Sequence, residues 1–533
     1  MYNGQDYKLH EKYKDALDYG IVNEYAGELG ELDKVYPIKN WNMIGKVKYK
    51  KLTFGFDWQH QLESNAPTCI PANYAYVRNN VWGQDIRHLY ANYSIVENEK
   101  ISVDATATVG DYAINPATNF FIPTDEIGAD ALPGQDGILD TGTPGYKYGY
   151  SGYVQGALKA DWKIADNFNI IVGASFENVK SFPKTQNLDQ PYHLDAGLED
   201  DLRDFVDPNG NTYGVLGLTD SIFGERNFTN FGSFVQGEYK PIETLSITLG
   251  GRFDYNSIHK ETFNPRIGIV YKPIRKLTLK AMGGSAYIAP SNYYRWENWA
   301  NPYAMHIPNL DIKPEKLTSF EVSAIYYINN NLSLRTSLFR NDMKDIIRVI
   351  DAPDQEGAYS YYNVMRILDG GASPYSGYVE MNDNLGAVYS QGVELDVNYQ
   401  ISKFLISVGY SFIDGKDKET DSNIPKVSAH KANANITYNA EKFFASVSAR
   451  YYSDIWTATT NSYYAGTDEI PGAFILYANL GYRITKGIVF TLSVDNMLNT
   501  KHWGAAPYGE SVWIQPRAPQ SLLKVFGGLK FTF

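Results

Sequence analysis

The stretch "SLLKVFGGLKFTF", residues 521–533, alternates at period two and stops on phenylalanine. Leu523, Val525, Gly527, Leu529, Phe531 and Phe533 fall on one side, and Lys524, Gly528, Lys530 and Thr532 on the other. Strand side chains point alternately to opposite faces, so this segment has one apolar and one wet face. A half-buried strand of a soluble sandwich shares the pattern but usually runs on into a loose polar terminus.

The 533 residues include 43 Tyr, 25 Phe, 9 Trp and 45 Gly, with a single cysteine, Cys69, so no disulfide forms within the chain. A formal charge of -12 argues against a nucleic-acid partner, which calls for a basic stripe. No run of about 18 apolar residues exists, which excludes a transmembrane helix. It does not exclude a membrane barrel, whose lipid-facing and lumen-facing residues alternate and keep average hydropathy low. The mean hydropathy here is -0.36.

The terminal alternation recurs along the chain. Phe404, Ile406, Val408, Tyr410 and Phe412 interleave with Leu405, Ser407, Gly409 and Ser411. Val393, Leu395, Val397 and Tyr399 interleave with Glu394, Asp396 and Asn398. Val447, Leu480 and Leu492 sit in similar runs, and these apolar sets are expected to face lipid. Strands near ten residues long are what a tilted bilayer span requires.

The connections alternate as well. Tight joins near residues 49–51, 97–99, 164–167, 240–243, 272–276, 329–331, 400–403, 439–442 and 485–487 are separated by long Gly- and Asp-rich excursions. The excursions are 64–85, 112–145, 181–227, 289–316, 350–389, 457–472 and 500–520. Short turns on one rim and long loops on the other predict an all-β antiparallel transmembrane barrel with about 19 strands from Trp41 onward. A passive porin-like channel and a surface adhesin share that pattern. Enzyme motifs such as G-x-S-x-G or H-E-x-x-H do not occur.

"FNPRIGIVYKPIRKLTLKAMGGSAYIAPSNYYRW", residues 263–296, resembles the middle of TonB-dependent outer-membrane receptors, with their "NPR-G-VY-P" strand and "FRAPS"-like box. "IPNLDIKPEKLTSFEVSAIYYINNNLSLRTSLFRNDMKDIIRV", residues 307–349, is similar to the family's "NPNLKPE" box and following strands. "SQGVELDVNYQ", "VDNMLNTKHW" and "GGLKFTF" follow in order. The resemblance implies a barrel of the 22-strand type, an N-terminal plug and an inner-membrane TonB-type energy-transducing complex as partner. It also implies a small-molecule nutrient as cargo, foremost a ferric siderophore or similar iron chelate, with haem, cobalamin and oligosaccharide behind it. Gly528, Phe531 and Phe533 are similar to the C-terminal signal read by the barrel-assembly machinery, which would explain why the chain stops at its last strand. Outer-membrane lipid is the remaining expected partner, and no cofactor or metal is expected.

Candidate ligand contacts cluster in "SNYYRWENWANPYAMH", residues 291–306, just past Tyr287. Tyr293, Tyr294, Arg295, Trp296, Trp299 and Tyr303 suit stacking on flat, polar-edged ligands, and equally suit an aromatic girdle at the membrane interface. His306 stands roughly where haem receptors of the family place an iron-binding histidine; the other reading is a solvated loop histidine. The acidic runs 193–211 and 128–142 read as solvated loops or divalent-cation sites. Lumen charges such as Arg252, Asp254, Glu321, Arg335, Glu394, Arg450 and Arg483 are expected to brace the barrel.

Residues 1–40 are expected to be an extracellular loop segment and 41–533 the barrel. "MYNGQDYKLHEKYKDALDYG", residues 1–20, is polar throughout and lacks the apolar core of a signal peptide, and no plug or TonB box is recognisable. Upstream sequence carrying a signal peptide, a plug and three further strands is therefore expected.

Overall fold

A computed structural model describes residues 39–64, 81–123, 142–184, 191–192, 205–206, 212–213, 225–297, 299–300, 304–352, 378–457, 469–505 and 517–532. It is an all-β molecule built on one 19-stranded antiparallel sheet in which each strand pairs with the next along the chain. The sheet runs from Trp41–Tyr49 to Lys524–Phe531, and among the described residues no ladder joins those two strands. With 19 strands the first and last run in the same direction. Several strands exceed the ten residues a bilayer needs: Val81–Glu97, Gly149–Ala165 and Arg226–Ile242 each span 17. The helices among the described residues are too short to cross a membrane, so crossing falls to the strands.

Register makes the two faces. Val393, Leu395, Val397 and Tyr399 stand opposite Phe412, Tyr410, Val408 and Ile406. Ile406 continues to Ile436, then Val447, then Ala478 on the next three strands. The alternate positions pair Asp396 with Gly409, Asn433 and Arg450 in turn. Directly opposite residues share a face, so one surface is a continuous apolar belt and the other a polar lining. The belt is left uncovered by protein: Val154, Leu249, Phe320 and Leu338 are 54–62% exposed. An apolar surface of that extent on a monomer marks contact with lipid. The last strand obeys the same rule, with Val525, Leu529 and Phe531 outward, although Phe526 also places a ring on the inner face.

All nine predicted tight joins are hairpin turns, and local chemistry builds them. Asn98 Oδ1 accepts from the backbone N–H groups of Lys100 and Ile101 at 2.9 and 3.0 Å, and Asn329 does the same for Asn331 and Leu332. Lys50 and Ser402 take the left-handed conformation, with φ of 52° and 53°. The opposite rim also holds two compact connections that the sequence pattern did not single out, 257–259 and 418–429. Asn256 closes the first by accepting from Ile258 and His259 N–H at 2.7 and 3.2 Å, a single-residue device with no composition signal.

Candidate ligand-binding site

At the long-loop rim, a cavity of about 440 Å3 lies against the inner wall, bounded by Glu177, Asn230, Arg252, Asp254, Tyr287 and Arg295. A row of hydrogen bonds crosses four strands here. Gln155 Nε2 and Asn230 Nδ2 donate to the two oxygens of Glu177 at 3.3 and 2.6 Å, and Asn256 Nδ2 donates to Asn230 Oδ1 at 2.5 Å. Arg252 Nε and Nη2 donate to Asp254 at 2.6–2.9 Å, leaving its guanidinium about half exposed. Gly232 makes room for that pair: a Cβ there would lie 2.5 Å from Arg252 Nη2.

The segment 289–297 closes one side of the cavity. Ser291 caps the short helix Asn292–Trp296 by accepting from Tyr294 N–H at 3.2 Å. Arg295 points back into its own loop and donates to the carbonyls of Leu310 and Ile312. Burial holds its guanidinium below the usual arginine value. Burial and the nearby Arg295 charge likewise lower the pKa of His259, whose ring lies 6.2 Å from that of Tyr287.

Beneath the helix is a buried polar cluster. His306 is 1% exposed, with Nδ1 3.2 Å from Glu380 and Nε2 3.0 Å from Asn382 Nδ2. Asn382 Nδ2 also donates to Glu297 at 2.9 Å and to the Tyr294 carbonyl at 3.2 Å. Tyr293 Oη donates to the other Glu297 oxygen. A four-stranded sheet sets this up, with Ala304–Ile307 running parallel to Tyr378–Asn384 and antiparallel to Trp299–Ala300. Lys147 is buried beside it; burial and the neighbouring Lys184 lower its pKa to about 7, with Glu297 opposing.

The expected site residues therefore separate. Tyr287 lines the cavity, and Tyr293 and Tyr294 are 39% and 44% exposed, with Lys184 Nζ 4.1 Å above the Tyr293 ring. Arg295 and Trp296 are buried supports, each 5% exposed, with Arg226 lying 5.8 Å over the indole. The solvated-loop reading of His306 is corrected: two carboxylates and an amide hold it in the interior. Trp299 is seen only through its backbone pairing with His306, and Tyr303 and Phe533 lie outside the described residues. Most of both acidic runs does too. Among the described residues no group of His, Cys, Asp or Glu is placed to hold a metal ion. Sequence reading missed Glu177, Asn230, Asn256 and Asn382. The first three lie at loop-side ends of polar strand faces, a signal that only the inter-strand register turns into one site.

The family model for the TonB dependent receptor-like β-barrel matches residues 186–497, more than half of the chain. The chain belongs to that family. It is thus an outer-membrane receptor barrel and not an enzyme. It is 21% identical over 304 residues to the iron-regulated outer membrane virulence protein of Vibrio cholerae, covering 54% of this chain and 44% of that protein. It is 22% identical over 324 residues to the vitamin B12 transporter BtuB of Photobacterium profundum, covering 58% and 47%. The match thus spans less than half the length of these curated relatives. Among solved structures, the ferric enterobactin receptor PfeA of Pseudomonas aeruginosa superposes with a TM-score of 0.68 at 13% identity, covering 93% of this chain and 70% of that one. The siderophore receptor PirA of Acinetobacter baumannii gives 0.68 at 15%, covering 96% and 73%. At such identities the likeness is one of fold.

Proposed function

We propose that this barrel serves the energy-dependent uptake of a scarce nutrient, a ferric siderophore or similar iron chelate. One observation carries the reading: the cavity at the loop-side mouth brings a half-exposed guanidinium, Arg252, together with the Tyr287 ring. A planar, always-charged fork beside an aromatic ring suits a flat, anionic, oxygen-rich chelate. Relatives of like fold or sequence whose names record iron regulation or siderophore recognition support it. The partners proposed with it are a TonB-type energy-transducing complex and the barrel-assembly machinery, with Gly528, Phe531 and Phe533 as the assembly signal.

A second reading, a neutral amide- or hydroxyl-rich cargo such as cobalamin or an oligosaccharide, is favoured by the row Gln155–Glu177–Asn230–Asn256, in which three amides surround a single carboxylate and supply hydrogen-bonding groups without a cation. A haem reading through His306 has no such support, because both ring nitrogens are already engaged. Binding of a ferric catecholate chelate to the Arg252→Ala variant separates the first two. Loss of one charge-assisted contact, worth about 1.5–3 kcal/mol, weakens binding roughly 10-fold to 150-fold. Unchanged affinity overturns the iron reading at this cavity.

A further inference from the structure

The polar lining carries a second recess, of about 520 Å3, on the inner wall formed by the strands Ala387–Ile401, Phe404–Asp417, His430–Asn439 and Phe443–Tyr452. Register sets two rows across it. Asp396, Gly409, Asn433 and Arg450 form one, and Glu394, Ser411 and Lys431 the other. Both acids therefore stand at one side and both bases at the other, with small or neutral side chains between them. Elsewhere on the same lining Arg252 pairs with Asp254. Here none of the four charges, nor the Asn433 amide, has a side-chain hydrogen bond or ion pair among the described residues. Glu394, Lys431 and Arg450 are exposed to the lumen.

Gly409 opens the acidic side. It is buried, and a Cβ there would collide with Asn433 Oδ1 and lie 3.1 Å from Asp396 Oδ1, so an amide oxygen and a carboxylate oxygen lean over the glycine from the two neighbouring strands. Two oxygens converging with no donor between them suit an ammonium group, which supplies three N–H donors and no acceptor. The opposite side is its complement, because Lys431 and Arg450 offer donors only and the Arg450 fork matches a carboxylate. From the Gly409 backbone to that of Arg450 is two strand spacings, about 10 Å, and an extended tripeptide spans about the same. The volume lies within the roughly 300–1,000 Å3 of small-molecule sites.

We propose that this recess binds a short zwitterionic peptide of about three residues, its ammonium end over Gly409 between Asp396 and Asn433 and its carboxylate on Arg450 and Lys431. The recess shares no residue with the Arg252 cavity, so the iron reading and this one stand or fall separately. Isothermal titration calorimetry of the purified protein, produced from its native gene and held in detergent, with trialanine, N-acetyl-trialanine and trialanine amide tests it. Trialanine should bind, and removing either end charge should weaken binding about tenfold or more, the loss of one charge-assisted contact. Asp396→Asn and Arg450→Gln should each lose about tenfold or more in trialanine affinity, with heat-modifiable gel migration unchanged. Asp396→Asn should in addition bind trialanine and its N-acetyl form alike while still rejecting the amide, a pattern that a merely structural loss would not give. Trialanine that does not bind the wild type, capped peptides that bind as tightly as trialanine, or folded variants that bind like wild type overturn the proposal.

Discussion

Replacing Val408 by arginine should place a charge near the middle of the bilayer. The strand Phe404–Asp417 presents Phe404, Ile406, Val408, Tyr410 and Phe412 outward before the first charge, Asp414. At about 3.3 Å per residue and a tilt of 35–45°, those outward positions span roughly 20 Å of height, most of the apolar band of an outer-membrane barrel. Val408 is central, about 10 Å from either end, between Val397 and Ala434 on its neighbours. Arginine at that depth costs about 2–4 kcal/mol, a shift of roughly 30-fold to 900-fold in the folding equilibrium. Ile406→Arg, one pleat nearer the short turn, should cost less. Ser407→Arg is the control, since Ser407 faces the lumen and donates to Asn398 Oδ1 at 2.7 Å. The assay is denaturant titration of the protein in phospholipid vesicles, read by heat-modifiable gel migration. A Val408→Arg cost no larger than that of Ser407→Arg would mean that the two faces are assigned the wrong way round.

Deleting Phe533, or appending a polar tail to it, should impair membrane insertion while leaving synthesis intact; heat-modifiable migration at wild-type levels in outer-membrane fractions would remove the assembly signal from the account. Burial lowers the pKa of Lys147 from 10.5 to about 7, so between those values the unfolded loop binds more protons than the folded one, and stability rises with pH across that window. Hydrogen exchange of residues 142–148 should accordingly slow as pH is raised from about 7 to 10, after correction for intrinsic exchange. Lys147→Met should shrink that slope, with the similarly lowered Lys184 supplying the remainder.

Strand alternation was legible because a membrane barrel imposes the same two-faced rule on every span, so local periodicity carried the fold and the nine tight joins. Register was not legible, and the site depends on it. Glu177 and Asn230 lie 53 residues apart and touch at 2.6 Å. Arg295 and Trp296 looked like ligand contacts because their residue types suit stacking; the fold instead spends them on backbone carbonyls and packing. His306 looked solvated because its partners Glu380 and Asn382 come from a loop more than 70 residues away. Long-range pairing inside loops leaves no periodic trace in a sequence.

Growth of an iron-starved, uptake-deficient host expressing this protein from its native gene, on a panel of ferric siderophores, haem, cobalamin and glycans, tests the functional account most directly. The account predicts rescue by a ferric siderophore that disappears when the host's TonB-type complex is deleted. Rescue by a glycan alone, or siderophore-dependent growth that persists without that complex, would contradict it.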